Sequence, residues 1–318
     1  MALSELIDHV KLMALVYIIR ASAYVSNLFN YRLENHLYSD ITHRKIQIPS
    51  RDPNRSIAAW IWYPKDYDTT KKTPVLLNWH GSGYVIPNLG TDSVFCARLA
   101  RDAGILVIDA DYRKGPENSA PAALYDAEDA LTWVASRPEG FNFDLERVAV
   151  SGFSAGGSLA LVLASIRRAH FESLHIPIVV TIYPATDLTS GVADVELSPE
   201  EAKANPLPPF MHDLFRRCYV PDPSPSARKD PLVSPAYADP TSFPDNVVIL
   251  TSGWDPLALE ANDLAAKLDD GKRKVVHRVL DNVPHIFDKG CKEDSNAWRQ
   301  RDIAYGVAVE AVKDAFGL

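Results

Sequence analysis

The sequence predicts an α/β protein in which a mostly parallel sheet is covered by helices on both faces. Segments with a strand pattern alternate with segments with a helix pattern, which is typical of parallel sheets with helical connections. Several strand segments are short, β-branched and apolar at every position, as in strands buried on both faces. The chain of 318 residues is 47% hydrophobic and 23% charged, which supports a sizeable core and excludes a disordered or coiled-coil chain.

The first element is predicted to be a helix that packs on the core or forms a lid. Its apolar residues recur at helical spacing, at Leu3, Ile7, Val10, Ala14, Tyr17 and Ile18. The unbroken apolar run from Leu12 to Ile19 is short, and Glu5 and Asp8 precede it where a signal peptide has positive charge. We therefore expect no signal peptide and no transmembrane segment, with contact of this helix at a membrane surface as the alternative.

The elements that follow are predicted from the spacing of their apolar residues, which differs between helices and strands. The predicted strands are 45–48, 57–63, 75–79, 105–109, 148–151, 178–182, 247–251 and 275–280. The predicted helices are 91–102, 121–136, 155–170, 257–268 and 297–316. The segment from Pro184 to Pro244 breaks the alternation, because it holds about half of the 23 prolines. There we expect an irregular insertion with one short helix at 209–218, lying beside the N-terminal helix as a cap.

Composition excludes several classes of function. With 33 Lys and Arg against 41 Asp and Glu, the net charge is −8, which argues against nucleic acid as a partner. Cys96, Cys218 and Cys291 are too few and too scattered for a disulfide framework or a zinc site. We therefore expect a cytoplasmic protein without a metal or cofactor. An exposed edge of its sheet would allow a homodimer.

The segment Gly152-Phe153-Ser154-Ala155-Gly156 fits the G-x-S-x-G pattern. It follows a predicted strand and opens a predicted helix, which is the context in which this pattern exposes a serine on a sharp turn. Glycines on both sides let the chain turn sharply and expose the Ser154 hydroxyl at the carboxyl end of the sheet. The helix N-terminus favours negative charge that develops there. Ser154 is therefore a candidate nucleophile, and the alternative is a turn serine in a glycine-rich loop.

A serine nucleophile needs a base and donors for the oxyanion. After this type of nucleophile the chain order is an acid and then a histidine. Asp255 and His285 each follow a predicted strand, at the edge of the sheet where ligands bind, and Asp281 is a weaker candidate for the acid. Other histidines, His212 in the insertion among them, are expected to be surface or packing residues. The loop from His80 to Gly83 follows another predicted strand, and its small residues let backbone N–H groups approach the site.

Taken together, these motifs resemble the hormone-sensitive-lipase group of α/β-hydrolases, which includes carboxylesterases and arylacetamide-deacetylase-like enzymes. The resemblance runs from about Ile57 to the C-terminal helix and keeps the motif order of that group. The matching motifs are His80-Gly81-Ser82-Gly83, Asp111-Tyr112-Arg113-Lys114-Gly115-Pro116-Glu117, the Ser154 motif, Asp230-Pro231-Leu232-Val233-Ser234-Pro235, Asp255-Pro256-Leu257 and His285.

The resemblance implies an α/β-hydrolase fold, with an eight-stranded, mostly parallel sheet and a helical or irregular cap. The core would comprise 45–186 and 244–318, and the cap 1–44 and 187–243. The implied catalytic residues are Ser154, Asp255 and His285. The implied oxyanion donors are the backbone N–H groups of Ser82, Gly83 and Ala155.

Departures from the pattern of the group bear on the substrate. Ser82 replaces the middle glycine of the oxyanion loop, so its side chain is expected to crowd or contact the acyl group. Phe153 stands where many members have Asp, and Ile286 where many have Gly. Side chains near the motifs predict an apolar pocket. The candidate substrate contacts are Tyr84, Phe153, Trp254, Ile286 and Phe287.

The sequence therefore predicts a serine hydrolase that cleaves carboxylic esters of small to medium, fairly apolar compounds through an acyl-enzyme. Two alternatives stay open. One is a hydrolase with the same catalytic residues that acts on an amide, lactone or thioester in a biosynthetic pathway. The other is a non-catalytic receptor for a small molecule, because a fold alone does not imply catalysis.

Overall fold

An eight-stranded sheet forms the centre of the protein and positions the candidate site. The computed structural model describes residues 3–189, 195 and 197–318. The strands are β1 (His43–Pro49), β2 (Ser56–Trp62), β3 (Thr73–Trp79), β4 (Leu106–Ala110), β5 (Phe143–Phe153), β6 (Ile178–Ile182), β7 (Asn246–Ser252) and β8 (Lys274–Leu280). Their order is β1-β2-β4-β3-β5-β6-β7-β8. Strand β2 is antiparallel to both of its neighbours, and the other pairs are parallel. The predicted α/β fold is confirmed.

Helices cover both faces of this sheet. The helices are α1 (Leu3–Glu34), α2 (Ser93–Asp102), α3 (Ala122–Ala135), α4 (Ala155–Ala164), α5 (Pro199–Ala204), α6 (Pro209–Tyr219), α7 (Pro225–Arg228), α8 (Ala258–Leu268) and α9 (Asn296–Phe316). Helices α3, α4 and α8 share one hydrophobic core with the sheet, and α2 and α9 share the other. Every residue of β3, β4 and β6 is buried, as expected for strands covered on both sides.

Two predicted boundaries differ from the structure by five residues or more. Helix α4 ends at Ala164, whereas the sequence predicted 155–170, because the Ser165 hydroxyl donates to the Leu161 carbonyl (2.6 Å) and the backbone leaves the helical region. The chain continues there as a 3-10 turn at Arg168–His170. Strand β5 begins at Phe143, ahead of the predicted 148–151. Its first half carries charged residues that interrupt the apolar pattern used for the prediction.

The proline-rich segment holds more regular structure than predicted. Helix α6 lies where a short helix was expected, but α5 and α7 were not predicted. All three helices have proline at their first position, where the missing N–H costs no hydrogen bond and the fixed φ suits a helix. The prediction treated these prolines only as helix breakers. Residues 190–194 and 196 of this segment lie outside the described part of the chain.

Helix α1 packs through a different face from the predicted one. Leu12, Val16 and Ile19 of this helix belong to a hydrophobic cluster that includes residues of α6. The predicted packing residues Tyr17 and Ile18 are instead 55% and 67% exposed, and Val10 is also exposed. Ala14 is exposed too, and the side chains of Leu3 and Ile7 are outside the described part. The helical prediction holds, but the predicted packing face is wrong.

The outward face of α1 is unusually apolar. Its exposed large side chains are Val10, Leu15, Tyr17, Ile18, Tyr24, Val25, Leu28, Phe29 and Leu33. By length and composition the stretch Asp8–Leu37 could cross a membrane, and only 6% of its most apolar window is buried. Polar contacts nevertheless hold this stretch to the core. Arg20 pairs with Glu117 (2.6 Å), and the Tyr31 hydroxyl donates to the Leu89 carbonyl (2.7 Å).

Candidate active site

The turn between β5 and α4 places Ser154 in a strained conformation. Ser154 has φ 50° and ψ −119°, a backbone region that L-residues rarely adopt. A Cβ on Gly152 would overlap the Gly156 carbonyl, and one on Gly156 would overlap the Trp79 carbonyl. Both glycines are therefore required by the close approach of β5, α4 and β3. The result is a serine side chain that projects from the sheet edge.

His285 lies between Ser154 and Asp255. Its Nε2 is 2.9 Å from the Ser154 Oγ, and its Nδ1 is 2.6 Å from the Asp255 Oδ2. The other oxygen of Asp255, Oδ1, accepts the Leu257 N–H at 3.0 Å. All three side chains are buried, with His285 only 1% exposed. Asp281, the weaker acid candidate, is exposed and makes no such contact. The geometry matches a nucleophile, a base and a group that orients the base.

The loop after β3 lies directly against Ser154. A Cβ on Gly81 would be 3.4 Å from the Ser154 Cβ. The backbone N–H groups of Ser82, Gly83 and Ala155 have no hydrogen-bond acceptor among residues 3–189, 195 and 197–318. Ala155 is also the first residue of α4, where helical N–H groups are unpaired and the helix dipole favours an anion. These three residues can therefore offer donors to an oxyanion.

The Ser82 side chain stabilises this loop. Its hydroxyl is 2.6 Å from the Tyr112 hydroxyl and accepts the Tyr84 N–H at 2.8 Å. Tyr112 in turn donates to the His80 carbonyl (2.7 Å) and stacks on the His80 ring. The Ser82 hydroxyl is thus engaged within the protein, in contrast to the expected contact with the acyl group. The Asp111-Tyr112 motif therefore supports the conformation of this loop through contacts with His80 and Ser82.

A cavity of about 590 Å³ opens above Ser154 and His285. Of the predicted substrate contacts, Tyr84 and Ile286 line it. The prediction is wrong for Phe153, Trp254 and Phe287, which lie elsewhere. Phe153 is fully buried beneath the sheet, because alternate residues of β5 point to opposite faces, and it packs edge-to-face on Phe95.

Phe287 and Trp254 are also kept from the cavity by their surroundings. Phe287 is buried in the core against the Tyr183 ring. The backbone N–H of Trp254 donates to the Val283 carbonyl, and its side chain is only half-buried, away from the cavity. Ile286 has φ 60°, a conformation that costs a residue with a Cβ about 1–2 kcal/mol. An apolar side chain is therefore held at the cavity wall despite backbone strain.

Sequence reasoning missed two titratable residues in this cavity. His212 of α6 lines it, and its ring centroid is 6.4 Å from that of His285. Burial, with the nearby His285, lowers the pKa of His212 to about 4, so the ring is neutral at pH 7. Glu260 of α8 lines the cavity as well. Glu260 follows Asp255 by only five residues, and this short separation was the one local indication of its proximity.

Glu260 has a pKa well above the ordinary range of a carboxyl group. Its Oε1 accepts the backbone N–H groups of Thr186 (2.6 Å) and Asp187 (3.1 Å). Burial raises the pKa of Glu260 to about 8, with smaller contributions from the charges of Asp187 and Asp255. Because one oxygen accepts both N–H groups, the other oxygen is free to hold the proton.

This raised pKa predicts a pH-dependent stability. Between the ordinary pKa of 4.5 and about 8 the unfolded chain loses the Glu260 proton and the folded chain keeps it, so stability falls as pH rises through that window. Glu260→Gln keeps the acceptor oxygen and removes the titration. From pH 5 to pH 8 we expect the free energy of unfolding to fall by about 3 kcal/mol more in the wild type than in the variant.

Urea unfolding at the two pH values measures this difference. The matched control is Glu310→Gln, on the exposed face of α9, which should follow the wild type. Equal losses of stability in the wild type and in Glu260→Gln would contradict the assignment.

No group of three or more His, Cys, Asp or Glu side chains is placed to hold a metal ion in the part of the chain that the structure describes. The loops that follow β3, β5, β7 and β8 meet at one edge of the sheet. They bring together a serine, a histidine, an aspartate and unpaired backbone N–H groups. Such an arrangement can carry acyl transfer, with the serine as nucleophile and the histidine as base.

Comparison with known proteins identifies the family. The sequence profile of the family described as alpha/beta hydrolase fold matches residues 76–289. The chain is 31% identical over 242 residues to "Ethyl acetate hydrolase" of Pseudomonas putida, a match that covers 76% of this chain and 74% of that protein. It is 34% identical to "Carboxylic ester hydrolase LipN" of Mycobacterium tuberculosis, over 68% of this chain and 57% of that protein.

Solved structures agree with the sequence comparison. The hyperthermophilic esterase from the archaeon Pyrobaculum calidifontis matches with a TM-score of 0.77 and 28% identity, over 94% of this chain and 93% of that one. The carboxylesterase EstE1, cloned from a metagenomic library, matches with a TM-score of 0.73 and 28% identity, over 89% of this chain and 96% of that one. The chain therefore belongs to the α/β-hydrolase fold family and, within it, to the hormone-sensitive-lipase-like group of carboxylic ester hydrolases.

Proposed function

We propose that the protein hydrolyses carboxylic esters of small to medium, fairly apolar compounds, with Ser154 as nucleophile, His285 as base and Asp255 as the group that orients His285. The observation that carries this proposal is the chain of two hydrogen bonds, 2.9 Å from Ser154 to His285 and 2.6 Å from His285 to Asp255. It joins side chains from three distant parts of the sequence in a buried site.

In the proposed reaction, the Ser154 Oγ attacks the ester carbonyl as its proton passes to the His285 Nε2. The Nδ1–H of His285 stays bonded to Asp255, which stabilises the imidazolium. Backbone N–H groups of Ser82, Gly83 and Ala155 bind the oxyanion. The C–O bond to the alcohol then breaks, and the alcohol leaves with the proton from Nε2. Water attacks the acyl-enzyme by the reverse sequence, releasing the acid and restoring Ser154.

The substrate class follows from the cavity wall. We infer that 1–44 and 187–243 form a cap over the core of 45–186 and 244–318, since α1 and α6 both line the cavity. Leu207, Met211 and Phe215 give this wall an apolar region. The first relative is named for ethyl acetate, a small ester. An apolar acyl or alcohol group of modest size fits these features.

Location and assembly are proposals as well. The three cysteines are free thiols, which suits a reducing compartment, so we propose a cytoplasmic location. Strand β8 forms an edge of the sheet and is largely exposed. A homodimer through this edge is the assembly that the fold would allow.

The test is acyl selectivity combined with covalent labelling. We expect a fluorophosphonate probe to label Ser154, as mass spectrometry of the digested protein will show. For one butyryl group we expect kcat/KM for the p-nitrophenyl ester to exceed that for the p-nitroanilide by at least about 100-fold. Faster cleavage of the anilide, the thioester or a lactone would favour the other hydrolase reaction. Tight binding of apolar ligands without labelling would favour a receptor.

A further inference from the structure

Helix α1 distributes its side chains in an unusual way around the active-site cavity. Its outward face is apolar and exposed. The polar residues Ser22, Ser26, Asn27 and Asn30 line the cavity, and of these the two serines are exposed and the two asparagines partly buried. Residues 22, 26 and 30 are spaced i, i+4 and i+8, so they form one row along the helix. At 1.5 Å per residue this row is about 12 Å long. Polar groups are therefore concentrated where a ligand would lie.

The hydrogen bonds of this wall leave several groups unpaired. Asn27 donates from Nδ2 to the Asn88 Oδ1 (2.9 Å), and Asn88 donates from Nδ2 to the Gly81 carbonyl (2.9 Å). These bonds fix both amides, so the Oδ1 of Asn27 is left as an acceptor. Within the described part of the chain, the side chains of Ser22, Ser26 and Asn30 have no hydrogen-bond partner. The wall thus offers both donors and acceptors to a ligand.

This wall is directly connected to the reaction centre. Asn88 bonds the carbonyl of Gly81, and Gly81 packs against Ser154. Two hydrogen bonds, from Asn27 to Asn88 and from Asn88 to Gly81, therefore connect the polar wall to the loop that would bind the oxyanion. A group attached to either side of a scissile ester can reach the row on α1.

The charges nearby favour a neutral ligand. Lys289 is the cation at this end of the cavity, and its Nζ is 2.7 Å from both Asp92 and Asp288. Two carboxylates therefore already pair with this ammonium, so it is not free to bind a carboxylate or phosphate on the substrate. Hydroxyl and carbonyl groups need no such counter-ion.

We propose that Ser22, Ser26, Asn27 and Asn30 form a subsite for a neutral, hydroxylated part of the substrate. This inference rests on the proposed function and deepens it: the preferred esters join one apolar part, held against Leu207, Met211 and Phe215, to one part that carries hydroxyl groups. The hydroxylated part is either the alcohol or the acyl group. Each free donor or acceptor that pairs with a substrate hydroxyl adds discrimination against the analogue that lacks it.

Two matched pairs of esters test the subsite and tell the two parts apart. The alcohol pair is 2,3-dihydroxypropyl butyrate and propyl butyrate, and the acyl pair is ethyl 6-hydroxyhexanoate and ethyl hexanoate. Release of acid is followed with a pH-stat. In one pair we expect kcat/KM to favour the hydroxylated ester by about 10-fold. In the double variant Ser26→Ala/Asn30→Leu this ratio should fall to about one.

The control is Tyr24→Phe, which removes a hydroxyl from the outward face of the same helix and should change neither the ratio nor the basal rate. If the double variant does not fold, Ser22→Ala, at an exposed position of the row, should lower the ratio by about 3-fold. Equal rates within both pairs, or a preference that survives these substitutions, would overturn the subsite alone. No hydrolysis of any of the four esters, nor of p-nitrophenyl acetate, would overturn the proposed function and the subsite with it.

Discussion

Replacing Ser154 with alanine is expected to lower kcat for p-nitrophenyl butyrate by about 10⁴-fold or more. Alanine keeps the Cβ, so the strained turn at φ 50° is preserved and the fold should be intact. What disappears is the Oγ that lies 2.9 Å from His285, and with it the acyl-enzyme route. Backbone donors and substrate binding remain, so a small residual rate above that of water is expected. Initial rates and a thermal unfolding curve measure the two effects.

Ser158→Ala is the matched control for this variant. Ser158 lies one turn further along α4, is buried and does not line the cavity. Its loss should leave kcat within a few fold of the wild type. If Ser154→Ala kept more than a tenth of the wild-type rate with the fold intact, the nucleophile would have to be another group.

Those parts of the site that follow predicted strands were predictable from sequence. Ser154 and Asp255 come soon after apolar strand segments, which are recognisable because they are buried on both faces. His285 follows the edge strand β8, which is largely exposed but recognisable by its β-branched residues. Parallel strands end at the same edge, so three local patterns are enough to place three distant side chains near each other.

The proposed cap was harder to predict for a physical reason. Helical periodicity shows that α1 has two faces, but the choice of the packed face assumed that apolar residues point inward. In this chain Ser26 and Asn30 face the cavity, and Tyr17 and Ile18 face outward. His212 was missed because its distance from His285 depends on how α6 packs over the edge of the sheet. No local sequence pattern indicates that packing. Phe153 was misplaced because a residue beside a nucleophile in sequence can point to the opposite face.

Asp255→Asn is expected to lower kcat by about 10³–10⁴-fold with little change in KM. The Oδ1 of Asp255 accepts the Leu257 N–H, so the asparagine carbonyl will take that place and its NH₂ will face the His285 Nδ1. A donor there requires an unprotonated Nδ1 and moves the imidazole proton to Nε2. The ring then donates to the Ser154 Oγ, where the reaction needs an acceptor. The variant should fold normally, because asparagine has nearly the same shape.

Two further variants separate this tautomer effect from a general loss of structure. Asp281→Asn changes the exposed carboxyl that also precedes His285 in sequence, and it should keep kcat within a few fold. The double variant Ser154→Ala/Asp255→Asn should be no slower than Ser154→Ala, because the two residues act as one unit and their effects do not add. Multiplied effects in the double variant would mean that Asp255 contributes independently of Ser154. A rate for Asp255→Asn close to that of the wild type would remove Asp255 from the mechanism, since the 2.6 Å bond to His285 would then have no consequence for the protonation of Nε2.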